Sequence, residues 1–411
     1  MRVLVCPARM EIGGSQSNAV ELARGVADLG HEVTLFGPDG PLVAVVADLG
    51  LDYVVAPVEQ SWPSRRNIAA LRSHLRARPV DVLHGYEWGP TVDLAFGPHL
   101  TAGIPLLTTV LSMSVPDFLP RHCPLIVGTA QLAEQHAGDF TRVSLMEPPI
   151  DTVRNAPKDT VAARRRFGIR PDEMVLTVVG RLVPDLEKVQ GVLAAIGAVD
   201  ALAGARPVRL LVVGDGPGLP DVRARAVSVN ARHQRDVVTV TGSLLDPRDA
   251  YEAADIVLGM GSSALKGLAF GRPLVVQGAA GFWRLAEPAT SAAFLREGWY
   301  GRNGAGVPDL LAALGPVLDD AARRRYLGSF GRELVVARFS LTAASGNLEA
   351  AYSAAVAEPP SRAATARGLT ASGFRLARFK FAMARHRLAA GRPALAATSG
   401  TSATSARRAR A

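Results

Sequence analysis

MRVLVCPARMEIGGSQSNAVELARGVADLGHEVTLF, residues 1–36, reads as a strand, a glycine loop, a helix and a second strand. The apolar run Arg2–Cys6 is the first strand. Gly13-Gly14 then separate it from an amphipathic segment whose Val20, Leu22, Ala23, Val26, Ala27 and Leu29 share one side, with Glu21, Arg24 and Asp28 opposite. Gly30 supplies the helix stop before Glu32–Phe36. VLTVVGRLVPDLEK, residues 175–188, repeats this grammar and sets Arg181 and Lys188 at the exit of a strand. Helix N-termini opened by glycine are natural anion sites, and a basic pair beside one strengthens the reading. The expected ligand is a phosphorylated small molecule.

Working outward, short continuous apolar runs predict further strands at Tyr53–Val55, Val80–His84, Leu106–Leu111, Leu125–Gly128 and Val143–Leu145. A second set follows at Val175–Val179, Arg209–Val213, Val237–Thr241, Ile256–Leu258 and Pro273–Gln277, with helices around 186–203, 218–232, 246–254 and 263–270. Continuous rather than alternating apolar runs suit parallel strands covered on both faces. Regular strand–helix alternation implies right-handed crossovers and open sheets, whose ligands sit at the strands' carboxyl ends. The fold class expected is therefore α/β, two Rossmann-like doubly wound parallel sheets facing a cleft. The expected organisation is one such domain over 1–165 and a second over 171–320, joined by the polar segment 151–170. Terminal helices over 321–355 could return to the first domain, and a basic, low-complexity, disordered tail is expected over 356–411.

At 411 residues, 48% of them hydrophobic, the chain has material for two cores. No apolar run approaches the ~20 residues of a transmembrane helix. The N-terminus reads as a strand rather than a secretory signal. Two cysteines, Cys6 and Cys123, are too few for a metal cluster or a disulfide framework, which suits a reducing, cytoplasmic setting. The net charge of +9 is concentrated: residues 356–411 carry eleven Arg or Lys against Glu358 alone, leaving 35 basic and 36 acidic residues in 1–355. A neutral body argues against nucleic acid as a partner. GFRLARFKFAMARHRL (373–388) mixes arginines with Phe374, Phe379 and Phe381, and its apolar residues form two opposed groups on a helical wheel. Contact between 361–411 and an anionic membrane surface, hence peripheral attachment at its inner face, is one expectation for this tail. A solvated extension is the other.

Six phrases in order carry a family resemblance: GGSQSNAVELARGVADLGHEVTLF (13–36), DVLHGYEWGP (81–90), VVGRLVPDLEK (178–188), LLVVGDGP (210–217), VTVTGSLLDPRDAYEAADIVL (238–258) and KGLAFGRPLVV (266–276). Over roughly residues 1–355 the chain resembles the GT-B glycosyltransferases of family 4. The resemblance implies a nucleoside-diphosphate sugar donor held mainly by the C-terminal domain and a hydroxyl acceptor held mainly by the N-terminal one. Retention of configuration is implied, with no cofactor and no obligatory metal. Arg181 and Lys188 match the family's positive pair, although their spacing of seven is two longer than the usual pattern. Gly13 and Gly14 match the close backbone approach to phosphate, and Gly242-Ser243 are placed near the nucleobase.

Several positions depart from the family. Lys266 stands where a ribose-binding glutamate belongs, and the glutamate-bearing turn before it is replaced by the shorter GMGSSAL. Lysine donates but cannot accept hydrogen bonds, so it suits phosphate better than ribose. Gly261, Ser262 and Ser263 are expected to form a phosphate site, with either serine as the helix cap. On the acceptor side His84 is retained as a candidate catalytic residue, Tyr86 replaces a second histidine, and Leu111-Ser112 replace a third. Glu87 is the other catalytic candidate, as a base or an acceptor-orienting carboxylate. In a retaining reaction the leaving phosphate takes the proton and no protein base is needed. GDGPG (214–218) reads as a structural turn, and Phe282 and Trp283 as core. Three other readings stay open: a catalytically silent sugar-nucleotide-binding protein, a membrane-surface scaffold with a vestigial cleft, and an epimerase on the same architecture.

Overall fold

The computed structural model describes residues 1–57 and 61–389, which divide into two compact units. The first unit comprises Met1–Glu147 and the chain from Thr342 onward, and the second comprises Pro148–Leu341. The first unit holds seven parallel strands: β1 (Arg2–Cys6), β2 (Glu32–Gly37), β3 (Asp52–Val55), β4 (Val82–Tyr86), β5 (Leu106–Val110), β6 (Leu125–Val127) and β7 (Val143–Leu145). Their order is β3-β2-β1-β4-β5-β6-β7, so the sheet reverses its winding between β1 and β4. Leu4, Leu35, Leu83, Leu106 and Leu125 are fully buried along it.

The second unit holds β8 (Met174–Val179), β9 (Val208–Val213), β10 (Val238–Gly242), β11 (Ile256–Gly259), β12 (Leu274–Gln277) and β13 (Trp283–Leu285), in the order β10-β9-β8-β11-β12-β13. Its reversal lies between β8 and β11. The helix Lys188–Ala203 buries Val189, Val192, Ala195, Ile196 and Val199 against this sheet. Each full burial of such an aliphatic side chain contributes roughly 1.5–3 kcal/mol. β13 is antiparallel to β12 and had no counterpart in the sequence reading. It is three residues long, too short for a periodicity to register. Trp283 on it packs in the core, as expected.

Three expectations about chain organisation need correction. The polar segment 151–170 is part of the second unit, where the helix Thr160–Arg166 is anchored by Arg164 pairing with Asp255 at 2.6 Å. The terminal helices divide: Ala321–Arg338 belongs to the second unit and Leu341–Ala357 packs within the first. The tail from 356 is also not structureless throughout. Arg362–Ala389 is a helix of 28 residues whose Leu369, Ser372 and Leu376 are buried and whose Phe379 ring lies 4.9 Å from that of Phe118. The Ser372 hydroxyl donates to the Phe118 carbonyl. Alanine and arginine are strong helix formers, and a single buried stripe suffices to dock such a helix. Residues 390–411 of the expected tail lie outside the described residues.

Candidate functional site

In the first unit the switch between β1 and β4 brings together the two segments that sequence singled out. Gly13 is the N-cap of the helix Gly14–Asp28, extended at φ −172°, and makes no side-chain cap. The first turn carries no acidic residue, so its N–H groups are available to an anion. Glu87 follows β4 and has φ 64°, a left-handed backbone that a non-glycine residue adopts only under local constraint. The constraint is visible in its carboxylate. Oε1 accepts from the Ser15 hydroxyl at 3.0 Å and from the N–H groups of Leu111 and Ser112 at 3.0 and 3.1 Å, while Oε2 accepts from the Ser112 hydroxyl at 2.7 Å. One side chain thus ties the loops after β1, β4 and β5. Burial raises the Glu87 pKa and these hydrogen bonds oppose the rise. Four donors thus hold the Glu87 carboxylate in place.

His84 is placed differently from expectation. It lies fully buried on β4, with Nδ1 2.7 Å from the Tyr352 hydroxyl and Nε2 2.7 Å from the Thr109 hydroxyl. Burial pushes its pKa down to about 3, so the ring is neutral. Both nitrogens are engaged inside the unit, and His84 is a core residue, not a catalytic one. Tyr352 sits 268 positions away on the helix Leu341–Ala357. Nothing near His84 in sequence announces that partner.

The second unit carries the stronger candidate, at the exit of β8. Arg181 and Lys188 are both half-buried. Among the described residues neither has an ion pair or a hydrogen bond to its side chain. Burial first, and the nearby Arg181 charge second, hold the Lys188 pKa below the ordinary lysine range, with Asp185 opposing. Lys188 is also the first residue of its helix, where the peptide dipoles disfavour a cation. Two cations and a helix N-terminus therefore converge without a protein counter-charge in contact. Between Arg181 and Lys188 the chain makes a tight turn, Asp185–Glu187, in which Leu186 and Glu187 both have φ 54°. Glu187 is held from the β12 side: its carboxylate accepts from the Ala280 N–H at 2.8 Å and its carbonyl from the Gln277 amide at 3.3 Å.

The loop bearing Arg181 is fixed from below by GDGP. Gly214 has φ 158°, and a Cβ there would stand 1.9 Å from the Gly180 carbonyl. The Leu182 N–H donates to the Asp215 carbonyl at 2.8 Å, and the Gly218 N–H to the Leu182 carbonyl at 2.9 Å. These contacts make the motif a structural turn. Gly242, at φ 81°, ends β10 and accepts from the Gly214 N–H at 2.9 Å, with Ser243 exposed just beyond it.

The helix Gly261–Ala269 begins next to β8, but not as expected. Its N-cap is Met260, so Ser262 and Ser263 lie inside the first turn and neither caps it. The Ser263 hydroxyl donates to the Val179 carbonyl at 2.6 Å and lies 3.0 Å from the Tyr251 hydroxyl. Ser263 is consequently the clasp between this helix and the end of β8 rather than a phosphate ligand. Ser262 stands half-buried beside it, and Lys266 lies in the second turn, also half-buried.

One cluster of metal-type ligands occurs among the described residues and was not foreseen. His99 Nε2 lies 3.0 Å from His122 Nε2 and 3.8 Å from Cys123 Sγ, while His99 Nδ1 donates to the Ile104 carbonyl at 2.7 Å. Burial raises the Cys123 pKa and lowers that of His122 to about 4, so the group is neutral. It precedes β6, at the amino ends of the strands, opposite the loops described above. Hydrogen bonds engage both nitrogens of His99, while His122 Nδ1 is buried without a hydrogen-bond partner among the described residues.

Two Rossmann-like α/β units, each with a mostly parallel sheet that reverses its winding beside a loop-to-helix junction, are the architecture of the GT-B class. The profile described as Glycosyltransferase Family 4 matches residues 12–124, and that described as Glycosyl transferases group 1 matches 173–311. A D-inositol 3-phosphate glycosyltransferase of Kribbella flavida is 25% identical over 374 residues, covering 78% of this chain and 86% of that protein. One from Rhodococcus erythropolis is 33% identical over 159 residues, 35% of each chain. Anabaena HepE, solved in complex with UDP-glucose, superposes with a TM-score of 0.69 at 15% identity, covering 86% of this chain and all of HepE. The chain belongs to the family 4-like GT-B glycosyltransferases, and it is a glycosyltransferase enzyme.

Proposed function

We propose that the enzyme moves a sugar from a nucleoside-diphosphate donor to a hydroxyl acceptor with retention of configuration. The observation that carries the donor half is the Arg181–Lys188 pair, two cations without an ion-pair partner beside a helix N-terminus. As the glycosidic bond breaks, negative charge grows on the departing diphosphate. Cations fixed there stabilise the transition state more than the ground state. In the first turn of Gly261–Ala269 the Gly261 N–H is taken by the Trp299 carbonyl at 2.9 Å, and the N–H groups of Ser262 and Ser263 add donors; Lys266 adds a third cation on the same helix. Gly242-Ser243 border the nucleobase. No divalent metal is required, because the diphosphate charge is met by these groups.

The acceptor half rests on the first unit, with Gly13-Gly14 presenting the helix N-terminus and Glu87 fixing the surrounding loops. His84 and Glu87 are both engaged by other protein groups, which supports a reaction in which the leaving phosphate itself takes the acceptor proton. The named relatives make inositol phosphates the first acceptors to test, and HepE makes UDP-glucose the first donor. The test is release of nucleoside diphosphate from UDP-, GDP-, ADP- and TDP-sugars by the full chain, with and without acceptor, and proton NMR of the product anomer. Turnover that survives EDTA, yields the donor's anomeric configuration and collapses in Arg181→Ala supports the proposal. An inverted product, or turnover indifferent to Arg181→Ala, overturns it.

A further inference from the structure

The helix Arg362–Ala389 has one face accounted for and one face that is not. Leu369, Ser372, Leu376 and Phe379 dock it on the first unit. At 100° per residue, Arg367, Phe374, Arg378, Phe381 and Arg385 fall within a sector of about 60° on the opposite side. All five are exposed, Phe374 at 68% and Phe381 at 67%. None of the three arginines has an ion pair among the described residues. The helix carries seven basic residues and no acidic one, whereas residues 1–355 are close to neutral. A solvated helix face rarely displays two phenylalanines in register with three unpaired arginines, and apolar surface rimmed by charge marks an interaction site.

We propose that this stripe seats the enzyme on an anionic lipid surface. The two rings would enter the boundary between headgroups and acyl chains, and the arginines would pair with lipid phosphates on either side. No helix among the described residues is long and apolar enough to span a bilayer, so the attachment lies in the plane of the interface. A second copy of the chain fits poorly, because a two-fold pairing of this face would oppose arginine to arginine. Single-stranded nucleic acids are held in basic grooves lined by stacking aromatic side chains, whereas this stripe lies on one face of a single helix. The inference stands on the helix alone and does not depend on which sugar is transferred.

The experiment is co-sedimentation of the full chain with vesicles of phosphatidylcholine alone and of phosphatidylcholine mixed equally with phosphatidylglycerol. Binding is expected only to the anionic vesicles, weakening as salt rises. Arg367→Gln/Arg378→Gln/Arg385→Gln is expected to lower the partition coefficient by roughly a hundredfold. Phe374→Ser/Phe381→Ser should lower it by about tenfold or more. All these side chains are exposed, so melting temperature and sugar-nucleotide turnover should stay as in the wild type. Equal binding to both vesicle types, or no binding, would overturn the proposal. So would wild-type binding by the phenylalanine variant, which would place the contact elsewhere in the chain. A dimer dispersed by that variant, or tight binding of a single-stranded oligonucleotide in place of vesicles, would assign the face to a different occupant and equally refute it.

Discussion

Replacing Lys188 by methionine separates a ligand-binding cation from a structural one, because the two roles give opposite signs. Methionine keeps the length and apolar stem and removes only the charge. In the unliganded protein the Lys188 ammonium is disfavoured by burial, by Arg181 and by the dipole of the helix it begins. Its folded-state pKa lies below the unfolded one, so the native state resists the charged form and gains stability as pH rises toward the lysine range. Lys188→Met is therefore expected to melt at the same temperature as the wild type or higher. Diphosphate binding should move the other way. A charge-assisted hydrogen bond contributes about 1.5–3 kcal/mol, so affinity should fall roughly ten to a hundred times. The helix N-terminus and Arg181 remain, which keeps binding measurable. Calorimetric titration with UDP, GDP, ADP and TDP at fixed ionic strength reads the affinity, and a thermal melt of the same sample reads the stability. A variant that binds within about threefold of wild type, or that melts well below it, would refute the reasoning.

Glu87→Gln is expected to lower stability by about 2–4 kcal/mol in urea unfolding, since an amide cannot satisfy the four donors that converge on the carboxylate. Unchanged stability with lost turnover would instead mark Glu87 as a catalytic base. His84 and His122 have folded pKa values of about 3 and about 4, both depressed below the unfolded value by burial. Their stabilising contribution is complete above about pH 6.5 and is lost as pH falls through the window below it, at up to about 1.4 kcal/mol per pH unit for each ring. A urea midpoint flat between pH 7 and pH 4.5 would contradict that burial. Gly214→Ala forces a Cβ against the Gly180 carbonyl at a φ that disfavours side chains. It should cost about 1–3 kcal/mol and weaken diphosphate binding together, because Arg181 rides on the same loop. Weakened stability with full affinity would show that the loop and the cation are independent.

The architecture was largely legible because it rests on local signals. Short, largely apolar runs such as Val175–Val179 and Arg209–Val213 suit covered parallel strands, and glycines punctuated their exits. Arg181 and Lys188 were singled out from their place after a strand, and the structure holds both half-buried on either side of the tight turn at Leu186 and Glu187. What sequence did not give were partners supplied from far away. His84 is silenced by Tyr352 and Thr109, and the Ser263 hydroxyl is consumed by Val179 and Tyr251. A hydroxyl or an imidazole looks the same in sequence whether it faces a ligand or a buried carbonyl. The helix Arg362–Ala389 escaped for a different reason. Its two opposed apolar groups argued against any one amphipathic face, yet one group docks on the protein while the other stays exposed.

If the cations after β8 hold a diphosphate, the pKa of the Lys188 ammonium must respond to its arrival. Titrating selectively labelled lysine by NMR in the free protein and with saturating UDP or GDP compares the two states. The expected result is a Lys188 pKa below the ordinary lysine range in the free protein that rises when the diphosphate arrives. A Lys188 pKa that does not move on addition of any nucleoside diphosphate would contradict the account.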